Sequence, residues 1–154
     1  RAIGIDQPPT WLAGTSTSMV AIDIIWIWYM LGFNMILYLA ALQEVSPELL
    51  EASKLDGAGY WTTIRYVILP LVSPTTFLLF ITGFVATIKN FGIIQAVTNG
   101  GPAESTTTLS FLIYKNAFSY YDIGYASAMS LVLFAIILII TLIQWYGQKN
   151  WVHY

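Results

Sequence analysis

Three stretches of this chain carry no charged side chain over about 20 residues or more, the length a helix needs to cross the hydrocarbon layer of a bilayer. They are Ile24 to Leu42, Tyr66 to Ile88 and Ile123 to Gln148. A segment in lipid has to satisfy its backbone internally, so each run is expected to be a helix. The first can extend past Asp23 through Thr17 to Ala21, which puts Asp23 in the head-group zone and Trp26, Trp28 and Tyr29 near an aromatic belt. The second carries Pro70 at its entrance and Pro74 one turn later, and the third ends in Trp145, Tyr146 and Lys149. The expected fold class is all-α integral membrane, with three spans at about 18–42, 68–91 and 123–147.

Composition agrees with lipid as the solvent. Of 154 residues 57% are hydrophobic and 9% are charged, whereas a soluble domain keeps roughly a quarter of its residues charged. The absence of cysteine excludes disulfides and thiolate metal sites, and the single histidine, His153, stands beside the last residue. A net charge of −2 without a basic run argues against a nucleic-acid surface. No Ser/His/Asp grouping, metal-ligand cluster or phosphate-binding glycine loop is present, so the chain is expected to be no enzyme and to bind no metal or cofactor. An ion-gradient-driven secondary transporter or channel fragment is the alternative class. It would require a carboxylate or broken helix at mid-depth, and the only acidic candidate, Asp23, lies at a span's edge. The chain begins at Arg1 without Met or a signal peptide, and is expected to be a fragment or processed segment.

Charge does not orient the spans. Lys54, Arg65 and Lys149 fall on one side, and Arg1, Lys89 and Lys115 toward the other, so the positive-inside rule nearly ties. The loop 92–122 holds the turn cluster Thr98-Asn99-Gly100-Gly101-Pro102. Ser105 to Tyr120 then reads as a helix lying in the interface, capped by Ser105 or Thr106, with a re-entrant segment as the alternative. In the third span Gly124/Ala128 and Ala126/Ser130 are small residues four apart, a spacing that lets helices approach closely.

The polar loop 43–67 is the most informative interruption. Ser46 before Pro47 is a helix-start signature, since the hydroxyl accepts from an orphan amide and proline at the first position forfeits no bond. Gly57 is expected to stop this helix and Ala58 to Tyr66 to begin a second, with Pro70 closing the segment as the chain re-enters the membrane. A span-to-span link with its own order usually has a partner to touch.

Residues 43–70 resemble the EAA loop of the membrane subunits of binding-protein-dependent ABC importers. That pattern runs Glu-Ala-Ala, three residues, Gly, nine residues, Ile-x-Leu-Pro. Here Glu51-Ala52-Ser53, Gly57, Val67 and Leu69-Pro70 keep the spacing, with Ser53 and Val67 as departures, and Asp56-Gly57-Ala58 matches a form frequent in the family. Leu31-Gly32-Phe33-Asn34, the Thr98–Pro102 turn, Tyr114-Lys115-Asn116-Ala117-Phe118 and Gly124-Tyr125-Ala126-Ser127-Ala128 look like the sugar-permease branch. The combination is most similar to the first permease of a maltose- or glycerol-3-phosphate-type pair, of which this chain would be the C-terminal half.

The resemblance implies a MetI-like type I importer permease in the bacterial inner membrane, with the Glu51–Pro70 loop and C-terminus cytoplasmic. It implies a carbohydrate or related solute, a partner ATPase dimer, a second permease and an extracytoplasmic solute-binding protein, with ATP and Mg on the partner. Glu51, Ala52, Ser53, Asp56, Gly57, Leu69 and Pro70 would form the coupling site. The substrate path would map onto Trp28, Gly32, Met35, Gly83, Thr87 and Asn90. Asn34 joins it as a polar group within a span, as does Thr82 unless its hydroxyl bonds its own helix.

Overall fold

The computed structural model describes residues 10–148, so Arg1, Lys149 and His153 lie outside the described residues. The described chain is all-helical. Three helices are long and apolar enough to cross a membrane: Ser18–Gln43, Tyr60–Lys89 and Ile123–Gly147. Their large side chains are mostly exposed, Trp28 at 78%, Ile36 at 68% and Leu131 at 69%, which a protein surrounded by water would not tolerate over such areas.

The elements in order are α1 (Ser18–Gln43), α2 (Pro47–Leu55), α3 (Tyr60–Thr63), a π-helical turn (Ile64–Ile68) and α4 (Leu69–Lys89). There follow α5 (Gly92–Val97), α6 (Leu109–Tyr114), a second π turn (Lys115–Ser119) and α7 (Ile123–Gly147). The helix that leaves Gly59 does not stop at Pro70. α3, the first π turn and α4 form one 30-residue helix, because the wider turn absorbs the proline. Pro70 has no N–H and its ring would crowd the carbonyl four residues back; in the π turn the Leu69 amide reaches back five residues to the Ile64 carbonyl. Pro74 leaves the Pro70 carbonyl without its usual amide, and the Ser73 hydroxyl donates to that carbonyl at 2.7 Å in its place.

The chain forms two compact units. One comprises 10–29 with 86–137, the other 30–85 with 138–148. The first has a small core of Ile22, Ile94 and Phe111, against which Ile93 and Tyr114 pack. Ser18 and Ser105 share a hydrogen bond of 2.9 Å, the Ser110 hydroxyl donates to the Ile88 carbonyl, and the Phe91 and Tyr114 rings stack at 5.0 Å. The turn after α5 folds back on itself through Thr106, which is 1% exposed. Its hydroxyl lies 2.8 Å from that of Thr98 and donates to the Gly101 carbonyl at 2.9 Å.

Two expectations about this unit change. The cap of α6 is Thr108, whose side chain accepts from the Phe111 amide, and neither Ser105 nor Thr106 caps it, because the Ser105 hydroxyl pairs with Ser18 of α1 and the Thr106 hydroxyl is committed to the turn. In α7 Ala126 is buried, but Gly124, Ala128 and Ser130 are exposed, and the Ser130 hydroxyl donates to the Ala126 carbonyl. Of the four small residues only Ala126 makes a packed position.

In the second unit, α2 is tied to α3 by side chains, with the Ser53 and Thr63 hydroxyls 3.4 Å apart. α1 meets α4 where the Tyr38 hydroxyl donates to Thr76 at 3.2 Å.

Candidate functional site

The loop between α1 and α4 is a fully specified local structure. Ser46 is the N-cap of α2, accepting from the Leu49 amide, and Pro47 opens the first turn. Glu48 in the first turn and Lys54 in the last both complement the helix dipole. The helix ends in a Schellman motif: the Gly57 amide bonds the Lys54 carbonyl at 3.0 Å and the Ala58 amide bonds the Ser53 carbonyl at 2.9 Å. This closure requires a left-handed residue, and Gly57 supplies it at φ +78° with open space around its Cα. Ser53, a departure from the EAA pattern, donates to the Leu50 carbonyl at 2.8 Å besides meeting Thr63.

The result is a short rigid helix whose outer surface is unpartnered. Glu51, Ala52 and Asp56 are exposed, Ser53 is half-buried, and Leu69 and Pro70 stand where the π turn passes into α4. The one ion pair among the described residues, Lys115–Glu104 at 3.3 Å, lies elsewhere, so the Glu51 carboxylate is unpaired among them. Beside Leu55, which helical spacing groups with Leu49 and Leu50 and which is 90% exposed, stand two neighbours that the sequence did not single out: Tyr60 and Trp61, 74% and 77% exposed, with their rings edge to face at 5.4 Å. Their signal was available, since they are apolar residues in a polar segment outside the spans. Exposed aromatics of this kind anchor interfaces.

The substrate-path residues fall on two helices. Trp28, Gly32 and Met35 share one face of α1 at helical spacing, and Gly83, Thr87 and Asn90 repeat that spacing along α4 and its end. Trp28 and Met35 are exposed, at 78% and 62%, and Asn34 is half-buried on another face of α1. Two of the polar groups have structural partners. The Trp26 indole donates to the Thr87 hydroxyl at 2.9 Å, and the Asn90 side chain accepts from the Ile93 amide at 3.5 Å, at the start of α5. Thr82 bonds its own helix, donating to the Leu78 carbonyl at 2.7 Å. In the loop 92–122 Tyr120 and then Glu104 hold the Lys115 ammonium above its ordinary value, and the amine sits 5.5 Å over the Tyr120 ring. No group of His, Cys, Asp and Glu among the described residues is placed to hold a metal ion.

Three candidate spans and an exposed, capped loop helix are the layout of a multi-span membrane component. Residues 4–149 match the family described as binding-protein-dependent transport system inner membrane component, and the chain belongs to it. Among its relatives is the sn-glycerol-3-phosphate transport system permease protein UgpA of Brucella abortus biovar 1, 37% identical over 132 residues, which cover 82% of this chain and 44% of that protein. The protein of the same description from Rhizobium meliloti is 36% identical over 142 residues, covering 89% and 47%. That of Yersinia pseudotuberculosis is 36% identical over 129 residues, covering 83% and 44%. The chain thus spans less than half the length of these curated relatives.

Proposed function

We propose that the chain is the part of an importer permease that carries the coupling loop, in a complex moving a carbohydrate or related small solute inward at the expense of ATP. A partner ATPase dimer hydrolyses the nucleotide, a second permease completes the path and an extracytoplasmic protein delivers the solute. The names of the relatives favour glycerol-3-phosphate over an uncharged sugar within that class. The observation that carries the reading is α2 itself, capped at both ends, exposed along Glu51 and Leu55, and joined by the single turn at Gly57 to the long helix Tyr60–Lys89.

In this reading the loop and the C-terminus face the cytoplasm. Glu51 offers acceptor oxygens to an arginine or backbone amide on the ATPase. Leu55, Tyr60 and Trp61 fill an apolar cleft there, and Gly57 holds the angle between the two helical pieces. Solute passes along Trp28, Gly32, Asn34, Met35, Gly83, Thr87 and Asn90. An ion-driven transporter would give these loop residues no task, and Asp23 is exposed in the second turn of α1 instead of buried at mid-depth.

The test is uptake of labelled glycerol-3-phosphate into vesicles containing the full complex. Glu51→Lys and Gly57→Pro are expected to abolish ATP-dependent uptake while the subunit stays in the membrane at normal abundance. Normal uptake by Gly57→Pro would sink the coupling role.

A further inference from the structure

Hydroxyl groups fasten the loop 92–122 to the start of the first span. Ser18, in the first turn of α1, is fully buried, and its hydroxyl lies 2.9 Å from that of Ser105, 87 residues further along the chain. The next residue, Thr106, is buried as well, with its hydroxyl engaged by Thr98 and the Gly101 carbonyl. One turn along α1 from Ser18, Ile22 packs with Ile94 of α5 and Phe111 of α6. Polar and apolar contacts thus join the same partners, and all of these residues belong to the first unit.

The backbone shows that this closure is held against resistance. Asn99, Ala103 and Glu104 have φ of +51°, +46° and +60°, a left-handed conformation that residues other than glycine adopt rarely. Ala103 and Glu104 directly precede Ser105 and aim the chain so that its hydroxyl meets Ser18. Such conformations persist only where their surroundings over-determine them. Here the Thr107 amide bonds the Glu104 carbonyl at 3.0 Å, the Glu104 carboxylate pairs with Lys115 at 3.3 Å, and Ser105 is held by Ser18.

A loop of this kind can swing as a lid or travel with the span it touches. Swinging would break the Ser18–Ser105 bond, part Ile22 from Ile94 and Phe111, and release a turn whose strain these contacts offset. Travelling with α1 breaks none of them. We propose that the turn Thr98–Thr106 is a permanent strap, which binds the loop 92–122 to the first turns of α1 so that the two move as one body whenever the permease changes shape. The strap is independent of the cargo and of the Glu51 loop; only its test in transport rests on the function proposed above.

That test uses the full-length subunit assembled with its partners in vesicles, with any cysteine outside these residues replaced. Ser18→Cys combined with Ser105→Cys puts two thiols where hydroxyls stand 2.9 Å apart, within reach of a disulfide. The pair is expected to oxidise in the resting complex, and the oxidised and reduced complexes are expected to take up labelled glycerol-3-phosphate at equal rates. Uptake lost on oxidation and restored by dithiothreitol would overturn the proposal in favour of a lid. A pair that fails to oxidise would overturn it too, since the strap would then be open at rest.

Amide hydrogen exchange supplies a readout that needs no cargo. The amides of Gly101, Ser105, Thr106 and Thr107 are all bonded to carbonyls of the turn, and should exchange slowly and at the same rate with and without an ATP analogue on the partner ATPase. Ser105→Ala should speed their exchange roughly two- to tenfold, as loss of one hydrogen bond does. Faster exchange when the analogue is added, or no change in Ser105→Ala, contradicts the strap. A wild-type complex that takes up no labelled cargo would count against the function proposed above and leave the exchange rates to decide the strap.

Discussion

Two glycines with left-handed backbones separate folding from function at the scale of single residues. At Gly57 a Cβ would meet nothing within 4 Å, so Gly57→Ala carries only the backbone penalty, about 1–2 kcal/mol. At Gly100, φ +86°, a Cβ would come 2.7 Å from Cε1 of the core residue Phe111. Gly100→Ala adds overpacking to strain and should cost about 2–4 kcal/mol in total. Thermal unfolding of the purified subunit should rank Gly100→Ala as the more damaging change. Transport per folded subunit should rank them in reverse, if Gly57 sets the docking angle. The sequence signalled both positions, Gly57 through its spacing from Glu51 and Pro70, and Gly100 through the turn cluster. What it did not disclose was the reason for Gly100, since contact with Phe111 joins residues eleven apart through a packed core. Ser105 and Thr106 likewise offer alternative helix caps in the sequence, because a hydroxyl near a helix start has the same local pattern whether it caps or is bonded elsewhere.

The elements were legible where periodicity or length decides and illegible where a proline bends the rule. Uncharged length announces all three long helices, since lipid leaves the backbone no other solution. Pro70 suggested a boundary, yet the helix runs through it, because a π turn rehouses the backbone at Ile64–Ile68. The second proline is handled by a side chain. Ser73→Ala should uncover the Pro70 carbonyl and cost about 1–3 kcal/mol. Replacing Pro74 by Ala restores an amide donor to that carbonyl, so Ser73→Ala in the Pro74→Ala background should cost less than half as much. A double-mutant cycle on unfolding free energy measures the difference, and additive effects would show that the hydroxyl has no such role.

For the whole molecule, the lack of cysteine is an experimental convenience. Single cysteines at Leu55 and at Ala103 can be labelled in oriented vesicles with a membrane-impermeant maleimide. If the loop helix is cytoplasmic, Leu55→Cys reacts only in inside-out vesicles and Ala103→Cys only in right-side-out ones; reaction from the same side would refute the three-span topology. Charge counting could not settle this, because six cations divide evenly between two sides. The helix that begins at Tyr60 is 30 residues and therefore about 45 Å long, against a hydrocarbon layer of about 30 Å. A π turn amounts to an α turn with one extra residue, and one residue is worth about 100° of rotation around a helix axis. The Ile64–Ile68 turn thus acts like the offset key on a driveshaft, fixing the compass bearing at which Tyr60 and Trp61 leave the bilayer relative to the faces of α4. Shortening that turn by a single residue would leave every contact type available and turn the two exposed aromatics to a different bearing.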